Sequence, residues 1–321
     1  MKSLDIVTFG EAMALFIADQ IGELHQVEHF TRNLAGAETN VAIGLSRLGY
    51  QVGWVSKVGN DPFGKYIVET LKNEQVDTSQ VSVDANHPTG FQLKSKVVTG
   101  DPQVQYFRKG SAASHISTGD FSAPYFTAAR HMHMTGIPPA LSRTACAFAQ
   151  HALSVMKAAG KTISFDPNLR PQLWSSREEM IRIIQSLAVQ ADWVLPGISE
   201  GEILTGYSQP RDIAAFFLDK GVKLVAIKLG PQGAYFRTAD EEQEVAGYPV
   251  EKVIDTVGAG DGFAVGLISG MMDGLSTAEA VLRGNAIGAL AVMSPGDMDG
   301  LPTRDRLTEF MRQCRKNDQE S

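Results

Sequence analysis

Four short apolar runs constrain this 321-residue chain more than any of its other features. His131–Met134, Thr162–Phe165, Trp193–Leu195 and Leu224–Lys228 are apolar along most of their length. Such runs suit strands covered on both faces, as in a parallel sheet between helices. Helical patterns lie between them. In one, Met180, Ile183, Ile184 and Leu187 share a face, and Ser175 precedes Glu178 at the spacing of a capping box. Strand and helix in alternation imply right-handed crossovers and a doubly wound sheet. Ligands of open sheets gather beyond the C-terminal ends of the strands, so residues just past each run are the candidates for chemistry.

The first half of the chain feeds the same sheet. A strand over Asp5–Gly10 delivers Glu11 to such an end, as a ligand-facing group or as a solvated loop charge. Ala12–Ala18 and Val27–Phe30 lack helical period and read as short strands outside the main sheet. A helix follows, with Val41, Leu45 and Leu48 on one face, Gly49 as its stop, and Gly36 and Asn40 at its beginning. Another strand, Val52–Gly59, leads into a helix over Lys65–Asn73. Phe91–Val98 and Gln103–Arg108 read as a hairpin around the turn sequence from Thr99 to Pro102. Strand period two puts Val104, Tyr106 and Arg108 on one face. Strands this polar and aromatic suit a lid over a polar ligand. The chain therefore reads as one unit, 1–321, with lid segments at about 12–33 and 91–109.

Between Ile254 and Ala264 the chain places Gly258, Gly260 and Gly262 directly before an apolar run. Glycine tolerates the dihedrals that expose consecutive amides, and a helix starting there adds unpaired N–H groups that suit a phosphate. Asp261 lies inside this anion cradle. A carboxylate there can accept the proton of a hydroxyl that attacks the phosphate. At another strand end, Pro167 and Pro171 stiffen the loop that carries Arg170, which either meets a ligand or pairs with Asp166. His131 and His133 alternate on one strand and are assigned a buried structural role.

With 36 acidic and 29 basic residues the net charge is −7, which lacks the basic footprint of a nucleic-acid binder and argues against an anionic membrane as partner. Cys146 and Cys314 stand far apart, so neither a disulfide framework nor a zinc site is expected. The first residues run straight into a strand pattern without the marks of a signal peptide, and no apolar run approaches the roughly 18 residues of a span. A cytoplasmic location is the expectation.

The string DTVGAGDGF from Asp255 resembles the C-terminal signature of the PfkB (ribokinase-like) carbohydrate kinases. AGAETN from Ala35 is similar to that family's first signature, and VGNDPFG from Val58 to a third stretch. The resemblance implies an α/β fold, a ribokinase-like doubly wound, mostly parallel sheet flanked by helices, with a small β lid. It implies ATP and Mg2+ as cofactors and a small sugar as partner, and leaves a homo-oligomer open. Asp261 becomes the catalytic base, and Gly258, Ala259 and Gly260 supply amides to the transferred phosphoryl group. Gly36 and Asn40 hold sugar hydroxyls, while Tyr106, Arg108 and Arg170 hold a carboxylate. Lys228, Gly230, Gly233 and Asn285 fall on the nucleotide side. Glu200 would reach Mg2+ through water, and Asp255 would help hold a monovalent cation such as K+. The chain departs from the family pattern at Ala35, Gln92, Gly197 and Lys228. LAGAETN, DPNLRPQLW and LPGISEGE look most like members acting on 2-dehydro-3-deoxy-D-gluconate. Fructokinases and 5-dehydro-2-deoxygluconokinases are the alternatives within the family.

Overall fold

The computed structural model describes residues 4–97 and 102–320, so Val98 and most of the Thr99–Pro102 turn lie outside the described residues. In chain order the strands are β1 (Ile6–Phe9), β2 (Met13–Ile21), β3 (Phe30–Ala35), β4 (Val52–Gly59), β5 (Val81–Asp84), β6 (Phe91–Lys96) and β7 (Val104–Phe107). They continue with β8 (His131–Thr135), β9 (Thr162–Asp166), β10 (Trp193–Val194), β11 (Leu224–Lys228), β12 (Gly233–Arg237) and β13 (Glu242–Ala246). Nine of them form one sheet in the order β13-β12-β11-β10-β9-β8-β1-β4-β5. Every pair from β5 across to β11 is parallel, and β12 and β13 close the edge antiparallel.

The four apolar runs are β8 to β11, as expected. Their periodicity sorts the core into two layers. Ile6, Trp54, Leu224 and Phe236 pack on one side of the sheet with Val265 and Ile287. Val7, Phe9, Met132, Phe165 and Val225 pack on the other with Phe148 and Ile184. Burying one such side chain contributes about 1.5–3 kcal/mol, so the two layers carry most of the fold's stability. The helices Ala259–Met272 and Thr277–Val292 lie close together because glycine lines their contact. A methyl group added at Gly266 would come within 2.5 Å of the Gly284 backbone.

Two details differ from the sequence reading. The helix Arg177–Ala188 is capped by Ser176, whose hydroxyl accepts the Glu179 amide at 3.1 Å, one position beyond the expected Ser175–Glu178 pair. Ser175 donates instead to the Glu179 carboxylate. The antiparallel pair β12–β13 was not anticipated.

The chain leaves β1 toward β4 on one side and returns to β8 on the other, which opens a crevice at the C-terminal ends of β1 and β8. A separate four-stranded sheet, β3-β2-β6-β7, stands beside that crevice. It contains the hairpin and a strand over the expected Ala12–Ala18 run, whereas the strand expected at Val27–Phe30 begins only at Phe30 and runs to Ala35. Among the described residues no helix is long and apolar enough to cross a membrane.

Candidate active site

A cleft of about 300 Å³ lies between the strand ends, the glycine loop and the second sheet. Gly258 begins the helix Ala259–Met272 at φ +85, a left-handed conformation that a side chain would strain. A methyl group there would also sit 2.6 Å from the Asp297 carbonyl oxygen. On the loop's other side a methyl at Gly260 would touch only Lys228 Nζ, at 3.4 Å.

Asp261, in the first turn of that helix, is buried and accepts Asn40 Nδ2 at 2.8 Å and Asn168 Nδ2 at 3.5 Å. Burial pushes its carboxyl up to about 7. The Asn40 amide works against that shift, Asp166 and Asp297 add to it, and Lys228 opposes it. A carboxyl poised near neutrality can both accept and release a proton at working pH.

Asn40 comes from the helix Ala37–Arg47, which Gly36 caps at φ +151. A methyl on Gly36 would meet the Glu11 carbonyl at 2.7 Å, so only glycine lets β1's exit pass this close. Asn40 Oδ1, Asn168 Oδ1 and Gln92 Oε1 are buried without a hydrogen-bond partner among the described residues. All three residues line the cleft. Unpaired buried acceptors are costly, and these three belong to residues of the cleft wall.

The cations of the cleft are held in different ways. Arg108 donates through Nε to Glu11 Oε2 at 2.7 Å, and Ser111 donates to the other Glu11 oxygen. Glu11 is thus a buried ion-pair partner and not a solvated charge. Lys228 donates to Asp166 Oδ2 at 2.6 Å. Burial works to lower the Lys228 ammonium, yet Asp166, Glu200 and Asp261 together hold it above its ordinary value. With Asp166 so engaged, Arg170 forms no ion pair among the described residues and donates through Nη1 to the Leu169 carbonyl. Lys94, on the cleft side of β6, donates to Asp255.

Glu200 accepts Leu169 N at 2.8 Å and Gly197 N at 2.7 Å, which pins the Arg170 loop to the next helix. His131 bonds Thr162 and Ser164, His133 bonds Ser164, and burial lowers both to about 3, so both are neutral parts of the core.

Of the residues singled out in the sequence, Gly36, Asn40, Tyr106, Arg108, Arg170, Glu200, Lys228, Gly258, Gly260 and Asp261 line this one cleft. Ala259 lies between two of them. Gly230, Gly233 and Asn285 do not line it. The Asn285 amide donates to the Val245 and Ala246 carbonyls and fastens β13. Gly233 is needed where β12 passes β13, since a methyl there would lie 2.1 Å from the Val245 carbonyl. Asp255, expected beside a free monovalent cation, accepts the Lys94 ammonium instead. Sequence reasoning missed Lys94, Asn168 and Asp297. Strand period two puts Lys94 on the same face as Gln92, a signal that could have found it.

Known proteins match this chain along nearly its full length. The model of the pfkB family of carbohydrate kinases matches residues 3–304. The chain is 58% identical to 2-dehydro-3-deoxygluconokinase of Bacillus subtilis (strain 168), over 96% of this chain and 95% of that one. A candidate ribokinase II of E. coli, solved with ATP and Mg2+, superposes with a TM-score of 0.90 at 30% identity, covering 97% of this chain and 99% of that one. A double mutant of fructokinase from Vibrio cholerae O395, solved with fructose, ADP and potassium ion, gives 0.84 at 30% identity over the same shares. A sheet of this topology, a glycine-walled loop around a buried aspartate and matches that run from end to end agree: the chain belongs to the pfkB family of carbohydrate kinases.

Proposed function

We propose that this kinase transfers the γ-phosphoryl group of ATP to the terminal hydroxyl of 2-dehydro-3-deoxy-D-gluconate, giving the 6-phospho sugar acid. The observation that carries the substrate is the 58% identity, over nearly the whole of both chains, to a 2-dehydro-3-deoxygluconokinase. The cleft supports it. Three unpartnered amide oxygens suit a ligand rich in hydroxyl donors, and Arg170 suits its carboxylate.

In this reading the hydroxyl lies against Asp261. Its oxygen forms the new bond to the γ-phosphorus as the bond to the bridging oxygen breaks, and ADP leaves. The hydroxyl proton passes to Asp261. A free alcohol is a weak acid, so the proton moves mainly as P–O bonding develops, and orientation is the larger contribution. The amides of Gly258, Ala259 and Gly260 receive the charge on the phosphoryl oxygens, with Lys228 beside them. Gly36 and Asn40 hold hydroxyls. Arg170 and Tyr106 hold the acid end, and Arg108 offers only the edge that Glu11 leaves free.

Gly230 and Gly233 form the turn beyond Lys228 where the nucleotide would extend, whereas Asn285 is committed to β13. Among the described residues no group of three or more His, Cys, Asp or Glu is placed to hold a metal ion, and both Glu200 oxygens take backbone amides. That donor set fits a Mg2+ ion carried on the nucleotide phosphates, with Glu200 reaching it through water. Such an ion neutralises charge on the transferred group. The sheet β3-β2-β6-β7 serves as the lid of one kinase unit, with 12–33 and 91–109 as its segments.

ATP consumption with a panel of keto-deoxy sugar acids and neutral ketoses tests the proposal. Turnover of 2-dehydro-3-deoxy-D-gluconate well above that of fructose is the expected result. Preference for fructose, or for 5-dehydro-2-deoxygluconate, would replace the substrate and leave the kinase assignment standing.

A further inference from the structure

Lys94 is buried between two carboxylates. Its ammonium donates to Asp255 Oδ2 and lies 3.9 Å from Asp297 Oδ1, and the Lys94 side chain is only 5% exposed. Both carboxylates belong to segments that frame the anion loop. Asp255 Oδ1 accepts the Val257 amide at 3.1 Å, and Asp255 N donates to the Val292 carbonyl at 3.3 Å. The Asp297 backbone carbonyl is the atom against which Gly258 turns. Two carboxylates on neighbouring segments, Asp297 buried and Asp255 largely so, repel unless a positive charge stands between them.

A free alkali ion at Asp255 was the sequence expectation, and the residues present do not fit it. An ammonium is nearly the size of K+, and it already holds the Asp255 oxygen that such an ion would need. A second monovalent ion in the same gap would meet an unscreened like charge. We infer that Lys94 is a tethered monovalent cation: it joins Asp255 to Asp297, sets the anion loop, and makes phosphoryl transfer by this chain independent of free K+. The cation is supplied by the lid strand β6 and not by solvent.

The test compares wild type and Lys94→Ala, with ATP as its choline salt, in choline chloride, KCl and NH4Cl at one ionic strength. Both turnover and thermal unfolding are read. Wild-type kcat/KM is expected to stay within about threefold across the salts. Lys94→Ala should lose about tenfold or more in choline and regain much of it in K+ or ammonium. Its melting temperature should rise in KCl over choline chloride, while that of the wild type does not. Activation of the wild type by K+ beyond about threefold overturns the inference, as does a variant that responds to K+ no more than wild type. If Lys94→Ala does not fold, Lys94→Arg decides: indifference to K+ supports the inference, and K+ activation overturns it. The inference rests on phosphoryl transfer to the proposed sugar acid only in its turnover arm. The unfolding arm needs no substrate, so a wrong sugar and a wrong cation assignment give different results.

Discussion

The two walls of the cleft are built from different material. The wall proposed to hold phosphate is backbone: amides of a glycine loop, locked by Gly258 at φ +85 against the Asp297 carbonyl. The wall proposed to hold the sugar is side chain: Asn40, Gln92, Tyr106, Arg108, Asn168 and Arg170, drawn from a helix, β6, β7 and its exit, and a proline-braced loop. A backbone wall cannot be retuned by substitution without straining the chain, so it suits the part of the reaction common to all substrates. A side-chain wall can change one residue at a time, and specificity belongs there.

The contrast is broken most severely at the residue where the walls meet. Asp261→Asn keeps the shape but cannot accept a proton, and should lower kcat by about 10²–10⁴-fold with KM little changed. Near-normal kcat would remove Asp261 from the base role. The same substitution should stabilise the protein. The native carboxyl stands at about 7 against an ordinary 3.8, so the stability it lends in its protonated form is lost as pH rises through 7. Thermal melts of the variant should therefore exceed wild type at pH 8, by about 1–2 kcal/mol, and converge with it in acid.

The next effect separates two arginines. Arg170→Ala should cost about 2–4 kcal/mol, roughly 30- to 1000-fold in kcat/KM, with the sugar acid and little with any weak turnover of fructose. Arg108→Ala leaves Glu11 buried without its partner, so it should lower the melting temperature and depress both substrates alike. Arg108 effects confined to the acid would return the carboxylate-reading role to it.

A smaller effect follows from pH alone. Below about 7 the Asp261 carboxyl is protonated, so kcat/KM should fall about tenfold per unit on the acid limb. A flat profile from pH 6 to 8 would count against that assignment. The smallest effect is expected away from both walls. Asn285→Ala should cost about 1–2 kcal/mol of stability through β13 and leave KM for ATP within about twofold. A large rise in that KM would restore Asn285 to the nucleotide side.

The same contrast explains what the sequence made legible. The backbone wall is contiguous, and Gly258, Gly260 and Asp261 can be read together because their chemistry is local. Arg170 was legible for the same reason, with prolines on either side of it. The lid face of Val104, Tyr106 and Arg108 followed from period two, but not what faced it. Lys94 meets Asp255 across 161 residues, and Asn40 meets Asp261 across 221. No local pattern encodes such pairings. Asn285 and Gly233 were drawn to the nucleotide side by resemblance; the packing role each also has at the β12–β13 edge was not legible, because the pairing of those strands joins segments with no local signal.

In the proposed reading, the three amide oxygens left unpaired at the cleft also bear on what the enzyme can refuse. A pocket that merely fits carbon rejects a shorter analogue by about 10–200-fold per methylene. A pocket whose acceptors are already desolvated rejects by omission, because an analogue lacking a hydroxyl leaves an oxygen stranded. Discrimination of that kind reaches about 10⁴–10⁵-fold. If Asn40, Asn168 and Gln92 accept the sugar's hydroxyls as proposed, analogues lacking one of those hydroxyls should be refused more strongly than analogues that differ only in length.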